Sequence, residues 1–368
     1  MLPEVLEVLP RFLRKGCSEL NISRLNVVFH GGEPLLFGKQ QFDALCNEIR
    51  KEIEPNVELT FKIQTNGVLL DNEWIKLLIH HRVMIGISID GSVEVHDNAR
   101  PDHKGDGSYY RATNGLKCAQ TLTRASGAPE PGVLAVIQPL PEEYKLLDHL
   151  INELGVSSPN LNFPRGGPLD PGASFFDSKV EWHRVLVKNY LERYVHPKFH
   201  YVRGISNVMM AIYSEKGALI NDKRASIRHF ILTIASNGDL LLDDNLLSVD
   251  LEANNQHLSL FSHTMRDFVK SQAFQELSLS IDYTPDDCSV CEWYRSCRSG
   301  DLFNRFSIDN RYKNKSSLCN TIKMIHEECA KYLLDNRVTT IDDLGDHLSK
   351  KPSYTGARAI SELLERSS

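Results

Sequence analysis

The sequence predicts an α/β protein: a parallel sheet with crossover helices over about the first 165 residues, then a smaller domain organised by cysteines. Two patterns carry this prediction. Short β-branched runs alternate with helical periodicity in the first part, which implies parallel strands joined by crossover helices. Further on, half of the eight cysteines fall within 32 residues, as Cys288-x2-Cys291-x5-Cys297 with Cys319 22 positions later.

The predicted strands are residues 25–30 (LNVVFH), 58–64 (ELTFKIQ), 83–90 (VMIGISID), 133–137 (VLAVI) and 160–163. Helical patterns separate them near 39–53, 71–81, 108–124 and 141–154. In such sheets ligands bind at the C-terminal ends of the strands, so the residues just after each strand are the candidates for a site. The N-terminal stretch MLPEVLEVLPRFLRKG reads as an amphipathic helix with Val5, Leu6, Leu9 and Leu13 on one face. The Gly/Pro-rich segment PRGGPLDPGA (164–173) marks a boundary. Two helices are predicted beyond it, at 177–196 and 203–217. A hairpin comes next, with strands at 231–235 and 239–243 turning at Ser236-Asn237-Gly238. From about residue 330 a polar helical tail is expected. The chain therefore divides into 1–165 (barrel-like sheet), 166–228 (helical connector), 229–329 (cysteine domain) and 330–368 (tail).

Composition excludes several classes. With 41% hydrophobic and 24% charged residues, the chain has an ordinary soluble make-up. A net charge of −6 provides no footprint for nucleic acid or an anionic membrane. No apolar run reaches the roughly 18 residues of a membrane span. The N-terminus is not a signal peptide, so a cytoplasmic, reducing location is expected, where cysteines serve as metal ligands or buried thiols. Cys17, Cys46, Cys118 and Cys329 stand alone on helical patterns and read as small buried hydrophobes.

Four thiolates at the Cys288–Cys319 spacing can bind zinc or hold a [4Fe–4S] cluster, and spacing alone does not separate the two. The strand ends carry a second signal. After the first strand stands His30-Gly31-Gly32-Glu33-Pro34, after the second Gln64-Thr65-Asn66-Gly67, and the third ends in Ser88-Ile89-Asp90-Gly91 with His96-Asp97 and Arg100 beyond. A tight turn would explain the first motif alone. Three strands ending in small polar residues describe one polar site at the mouth of a sheet.

These segments (VVFHGGEPLL, IQTNGVLL and ISIDGSVEVHDNARP with Gly107-Ser108), together with the cysteine set, closely resemble radical S-adenosylmethionine (SAM) enzymes with a C-terminal SPASM domain. That group includes the anaerobic sulfatase-maturating enzymes and the maturases of ribosomally made peptides. The resemblance covers about residues 1–325. It implies a partial (β/α)6 radical SAM barrel and a small iron–sulfur domain, and it turns the zinc-or-iron choice towards [4Fe–4S]. It also implies that Gly31, Gly32, Glu33 and Pro34 meet the amino group of SAM, and that Gln64, Asn66 and Ser88 line the SAM site. Cys288, Cys291, Cys297 and Cys319 then hold one auxiliary cluster. The implied partners are a precursor peptide or protein substrate and an electron donor such as flavodoxin or ferredoxin.

The sequence also departs from the pattern. The Cys-x3-Cys-x2-Cys loop that binds the SAM-cleaving cluster does not occur among the eight cysteines. The barrel is therefore expected to be incomplete, with its first strand missing and residues 25–30 at an open edge, as in an N-terminally truncated chain. The ligand positions of a first auxiliary cluster fall on Asp243 and Asp301 and are lost. Asp244, just after the first of these, matches a general base of sulfatase maturases; a solvated turn residue is the other reading. The chain as written is accordingly either a maturase lacking its catalytic loop or a catalytically dead member that binds a peptide or partner.

Overall fold

The computed structural model describes residues 1–53, 57–214, 216–217, 231–246 and 257–350. Five strands form one parallel sheet in sequential order: β1 (Arg24–Phe29), β2 (Glu58–Thr65), β3 (Met84–Ser88), β4 (Gly132–Val136) and β5 (Pro159–Asn162). Each lies within two residues of its predicted bounds. β1 is an edge strand, as expected. Register sets Val27 beside Phe61, Ile63 beside Ile85 and Ile87 beside Val133, so apolar side chains stack across the sheet. Because all five strands run the same way, the loops that leave their C-terminal ends gather at one end of the sheet.

The connecting helices are α2 (Lys39–Ile53), α3 (Asn72–His80), α4 (Val93–Ala99), α5 (Tyr109–Ser126) and α6 (Lys145–Leu147). The helix expected over 141–154 is divided: α6 is one short turn and continues as a π-helical stretch, Asp148–Glu153. Ahead of them all, α1 (Pro3–Glu19) starts at a proline whose fixed φ suits a first helical position. It buries Val5, Leu9, Phe12 and Leu13 and packs on α2, while Leu6 lies only half-buried at the rim of that face. Together with residues 200–203, this sheet and its helices form the first of two units.

Buried thiols complete the packing. Burial pushes Cys17 up to about 11 and Cys46 up to about 12, so both stay neutral at physiological pH and act as small apolar groups. Cys329 is buried and shifted upward for the same reason. Cys118 is half-exposed, and its thiol donates to Asn72 Oδ1 at 2.9 Å.

One close approach in this unit fixes a loop that the site depends on. Gly115 on α5 lies against the turn after β2, where a Cβ would stand 2.2 Å from the Gly67 carbonyl oxygen and 3.1 Å from Leu70 Cβ. Backbone cannot yield as a flexible side-chain tip can. Gly115→Ala is therefore expected to destabilise the chain by about 1–3 kcal/mol, the usual cost of overpacking. A fall in the thermal unfolding midpoint checks this, and an unchanged midpoint would mean that α5 moves freely off the loop.

The second unit comprises residues 164–199 and 204–368. Its described elements are α7 (Pro171–Asp177), α8 (Val180–Arg193), α9 (Arg203–Tyr213, from Gly204 on), the antiparallel pair β6 (Thr233–Ile234) and β7 (Leu240–Leu241), α10 (Met265–Lys270), α11 (Gln272–Asp282), α12 (Asp286–Ser289), α13 (Tyr294–Cys297), α14 (Cys319–Asp335) and α15 (Ile341–Ser349). The helix expected over 177–196 is α8, which starts at Val180 because a separate short helix, α7, ends at Asp177. Asp177 ends α7 and turns its carboxylate to the start of α14, accepting from Thr321 N at 2.8 Å and Asn320 N at 3.2 Å. A carboxylate there satisfies otherwise orphaned amides and complements the positive end of the helix. The expected hairpin is present around Gly238. In the tail, His347 Nε2 donates to Ala211 O on α9 at 3.0 Å, and residues 351–368 lie outside the described set.

His326 on α14 is wholly buried, and its Nδ1–H donates to Ile322 O at 2.7 Å. Burial holds its pKa down to about 4 from 6.5, so the fold favours the neutral ring. The stabilisation it contributes is complete above pH 6.5 and is lost as pH falls towards 4, amounting to about 3 kcal/mol. Denaturant unfolding across this window should show that decline, and His326→Leu should flatten it. Identical pH profiles for the two proteins would refute the assignment.

Candidate functional site

The loops leaving β1, β2 and β3 build the first site. Gly31 and Gly32 have φ of +86° and +33°, values that L side chains adopt only with strain. Nothing lies within 4 Å of where a Cβ would stand on either, so the exposed backbone there is open to a ligand. The pair turns the chain to present Glu33, whose carboxylate reaches across the sheet end. Oε1 accepts from Leu35 N at 3.0 Å and from the buried Thr65 hydroxyl at 2.7 Å, and Oε2 accepts from Asn66 N at 2.8 Å. A carboxylate offers about four acceptor positions. Three are filled by the chain itself, which leaves one for a donor such as an ammonium group. Glu33 is thus a clasp between two loops as well as a candidate ligand.

Beside it, Gln64 Nε2 donates to Ser88 Oγ at 2.9 Å. Gln64 pairs with Gly86 in the β2–β3 register, and a Cβ on Gly86 would stand 2.4 Å from Gln64 Oε1, so the glycine is what lets this side chain lie across β3. Asn66 closes its own turn, its Oδ1 accepting from Val68 N at 2.9 Å. Glu33, Gln64, Asn66 and Ser88 are therefore joined at one end of the sheet. Asp90 supports this end: almost fully buried, it accepts from Arg100 Nε at 2.6 Å and from Val136 N at 2.9 Å, tying β3 to β4 and α4. His96 Nδ1 accepts from Asp90 N, so its Nε2–H donates to Ser108 Oγ, and burial lowers its pKa.

The cysteine site is built in the second unit from two four-residue helices and the start of a long one. Cys288 lies in α12 and its carbonyl accepts from Cys291 N; Cys297 ends α13; Cys319 opens α14. After Cys297 the chain takes three consecutive left-handed residues, Arg298, Ser299 and Gly300, with φ of +55°, +65° and +75°. A Cβ on Gly300 would stand 2.9 Å from Ser316 Cβ, so this turn rests against the residues that lead into Cys319. Burial first, then the nearby thiols of Cys319, Cys288 and Cys291, push Cys297 up to about 12. Lys323 and Lys315 oppose the upward shift that burial imposes on Cys319.

The four thiols are thus neighbours, yet among the described residues no group of three or more His, Cys, Asp or Glu is arranged to hold one metal ion. Four thiolates can take a single zinc, at Zn–S of about 2.3 Å, or a [4Fe–4S] cluster. Trp293 Nε1, Ser299 Oγ and Thr321 Oγ1, each within two residues of one of these cysteines, are buried with no hydrogen-bond partner. Donors so placed suit the sulfurs of a cluster.

No family model matches the chain. The cysteine-type anaerobic sulfatase-maturating enzyme of Clostridium novyi is 22% identical over 335 residues, 88% of this chain and 85% of that protein. The serine-type enzyme of Klebsiella aerogenes is 29% identical over 110 residues, 29% of this chain and 27% of that protein. Both relatives are named as anaerobic sulfatase-maturating enzymes. Its fold is also similar to that of native anSMEcpe with bound AdoMet, at a TM-score of 0.76 and 19% identity over 92% of this chain and 91% of the other. With AdoMet and the Cp18Cys peptide bound, that enzyme matches at 0.73 and 19% identity, over 92% of each chain. The α/β reading with a radical SAM sheet is borne out by this fold.

Asp244 falls in the second unit, half-buried at the start of a 3-10 turn, Asp244–Leu246. Two further residues carry no signal of their own in the sequence. Thr65 sits inside a quoted motif but shows its role only through its bond to Glu33, and Arg305 is identified by burial alone.

Proposed function

We propose that the chain is a radical SAM maturase of a peptide or protein side chain, with SAM held by the first unit and one [4Fe–4S] cluster by the second. The Glu33 clasp carries this reading: a carboxylate fixed by three donors beside an open glycine turn, with one acceptor position left, suits the amino group of SAM. Likeness to enzymes named for maturing cysteine or serine in sulfatases supports a protein substrate, and a crosslink or an oxidised side chain is the modification we assign. Bound SAM would supply a hydrogen-abstracting 5′-deoxyadenosyl radical only on receiving an electron from a reduced SAM-cleaving cluster, whose Cys-x3-Cys-x2-Cys ligands are not among these residues.

The chain's own residues bind and orient. Gly31, Gly32 and Pro34 shape the turn, Glu33 receives the amino group, and Gln64, Asn66 and Ser88 line the ribose and carboxylate side. Asp244 is assigned as the proton acceptor for the oxidised product. Residues 166–228 are assigned as connector and 229–329 as the cluster domain. A cytoplasmic location with flavodoxin or ferredoxin as electron donor fits this chemistry; among the described residues no helix is long and apolar enough to cross a membrane.

A second reading, a catalytically dead member that binds a peptide or partner and keeps its cluster for structure, is favoured by the absence of a Cys-x3-Cys-x2-Cys triplet from these residues. One experiment separates the two. Anaerobically loaded protein is incubated with SAM, dithionite and a sulfatase-derived peptide carrying cysteine or serine. Release of 5′-deoxyadenosine with a changed peptide mass supports the maturase. Retention of the peptide on equilibrium dialysis without either product supports the second reading, and no retention of SAM sinks the first.

A further inference from the structure

Arg305 is the largest of the fully buried side chains, at 1% exposure. Its Nε donates to Asn314 O at 2.9 Å, and its Nη2 donates to Tyr283 O at 3.0 Å and Ser280 O at 3.4 Å. Every one of these acceptors is a backbone carbonyl, and among the described residues no carboxylate forms an ion pair with it. A guanidinium does not shed its charge in a protein, and a buried ion without a counter-ion costs several kcal/mol. The carbonyls it grips lie in the segments that lead to two ligands: Tyr283 is five residues before Cys288, and Asn314 five before Cys319. Asn314 Nδ2 returns a bond to Arg305 O at 2.8 Å, locking the arrangement. Burial lowers the arginine's affinity for its proton, while the thiols of Cys288 and Cys297, with the phenols of Tyr294 and Tyr283, act in the opposite direction. A cation is thus enclosed beside the cysteine set, held in place by carbonyls and neutralised by no acid among the described residues.

We infer that Arg305 is the buried counter-cation of the cluster held by Cys288, Cys291, Cys297 and Cys319, and that its charge raises the reduction potential of that cluster. The inference rests on the iron–sulfur reading above. A thiolate-ligated cluster is anionic and gains one more negative charge on reduction. A fixed cation in a low-dielectric surround therefore stabilises the reduced form more than the oxidised one. Arg305 is a positioning residue as well, since it draws the Cys288 and Cys319 segments together, and the two roles part company on substitution. Glutamine removes the charge, whereas lysine keeps it and loses the fork that grips several carbonyls.

The test is an anaerobic redox titration of the iron-loaded full chain with dithionite, followed on the paramagnetic signal that Cys297→Ala abolishes. The titrated step is one electron passing from dithionite to the cluster, with no bond made or broken. For Arg305→Gln with its iron retained, the reduced-to-oxidised ratio at a given potential should fall about tenfold, equivalent to a midpoint about 59 mV lower for a one-electron couple. Arg305→Lys should titrate with the wild type. An Arg305→Gln midpoint equal to wild type, or an Arg305→Lys midpoint shifted as far as that of Arg305→Gln, overturns the inference. If Arg305→Gln cannot hold iron, Arg305→Lys decides: a cluster kept at the wild-type potential supports the counter-cation, and a lost or shifted one overturns it. Wild-type protein that takes up zinc or no metal would instead sink the cluster reading itself, before any arginine variant is compared.

Discussion

Cys297→Ala is expected to strip the second unit of its iron, leaving less than about one iron per chain where a single [4Fe–4S] cluster would bring roughly four. Of the four candidate ligands, Cys297 is the one whose thiol burial pushes up to about 12, and it has each of the other three thiols as a neighbour. Because a metal site contributes its binding free energy to folding, the variant should also unfold several degrees lower than the loaded wild type. Iron analysis and the visible absorption of anaerobically purified protein measure the first effect, and a thermal melt the second. Cys118→Ala serves as the control: this half-exposed thiol bonds Asn72 on the sheet unit and should leave the iron content unchanged. Equal iron in Cys297→Ala and wild type would remove the cysteine set from consideration as a cluster site.

Glu33→Ala carries the second large effect, on SAM and on stability together. The substitution strands three donors at once: Leu35 N, the Thr65 hydroxyl and Asn66 N. A buried donor left without a partner costs about 1–3 kcal/mol. Glu33 is only half-buried, so water will serve part of the set, and a total of about 2–4 kcal/mol is expected. With the clasp open, the turns after β1 and β2 lose their fixed spacing, and the acceptor assigned to the SAM amino group disappears. Affinity for SAM should then fall at least about tenfold, which corresponds to about 1.4 kcal/mol. Glu33→Gln is a sharper probe. It keeps the volume but sets an amide NH2 against one of the N–H or O–H donors, so it should lose affinity with a smaller change in stability. Equilibrium dialysis with labelled SAM and thermal unfolding provide the two readouts. A Glu33→Ala protein that binds SAM like wild type would show that the turn alone makes the site.

Much of this site is legible in the chain because its parts are local. The glycine pair before Glu33 announces a turn by its freedom at positive φ, and the β-branched runs announce strands by composition. Parallel strands then gather their trailing loops at one end of the sheet. The cysteine set is equally local in three of its four members. Local reading assigns Glu33 a ligand's role; its second role, fastening one loop to another, depends on residues 32 and 33 positions away. Gly115 is similar. Within α5 a glycine is merely a weak helix former, and its reason is the Gly67 carbonyl packed against it from another loop. Asp177 at the end of α7 obeys the same logic, because its carboxylate caps a helix that starts 142 residues later.

The sequence by itself determined the α/β class, the five strands to within two residues at each end, the polar strand ends and the four candidate cluster ligands. Each of these rests on periodicity, turn chemistry or ligand type, which act over a few residues. Only the tertiary structure decided which polar groups satisfy one another: Glu33 with Thr65, Gln64 with Ser88, Asp90 with Arg100, and Arg305 with carbonyls beside the cysteines. Such pairings span gaps of 9 to 32 residues, and no local rule selects among the alternatives. They are chosen when the sheet and its loops close, because every buried donor and charge must then find a partner or bear the full cost of its lost water.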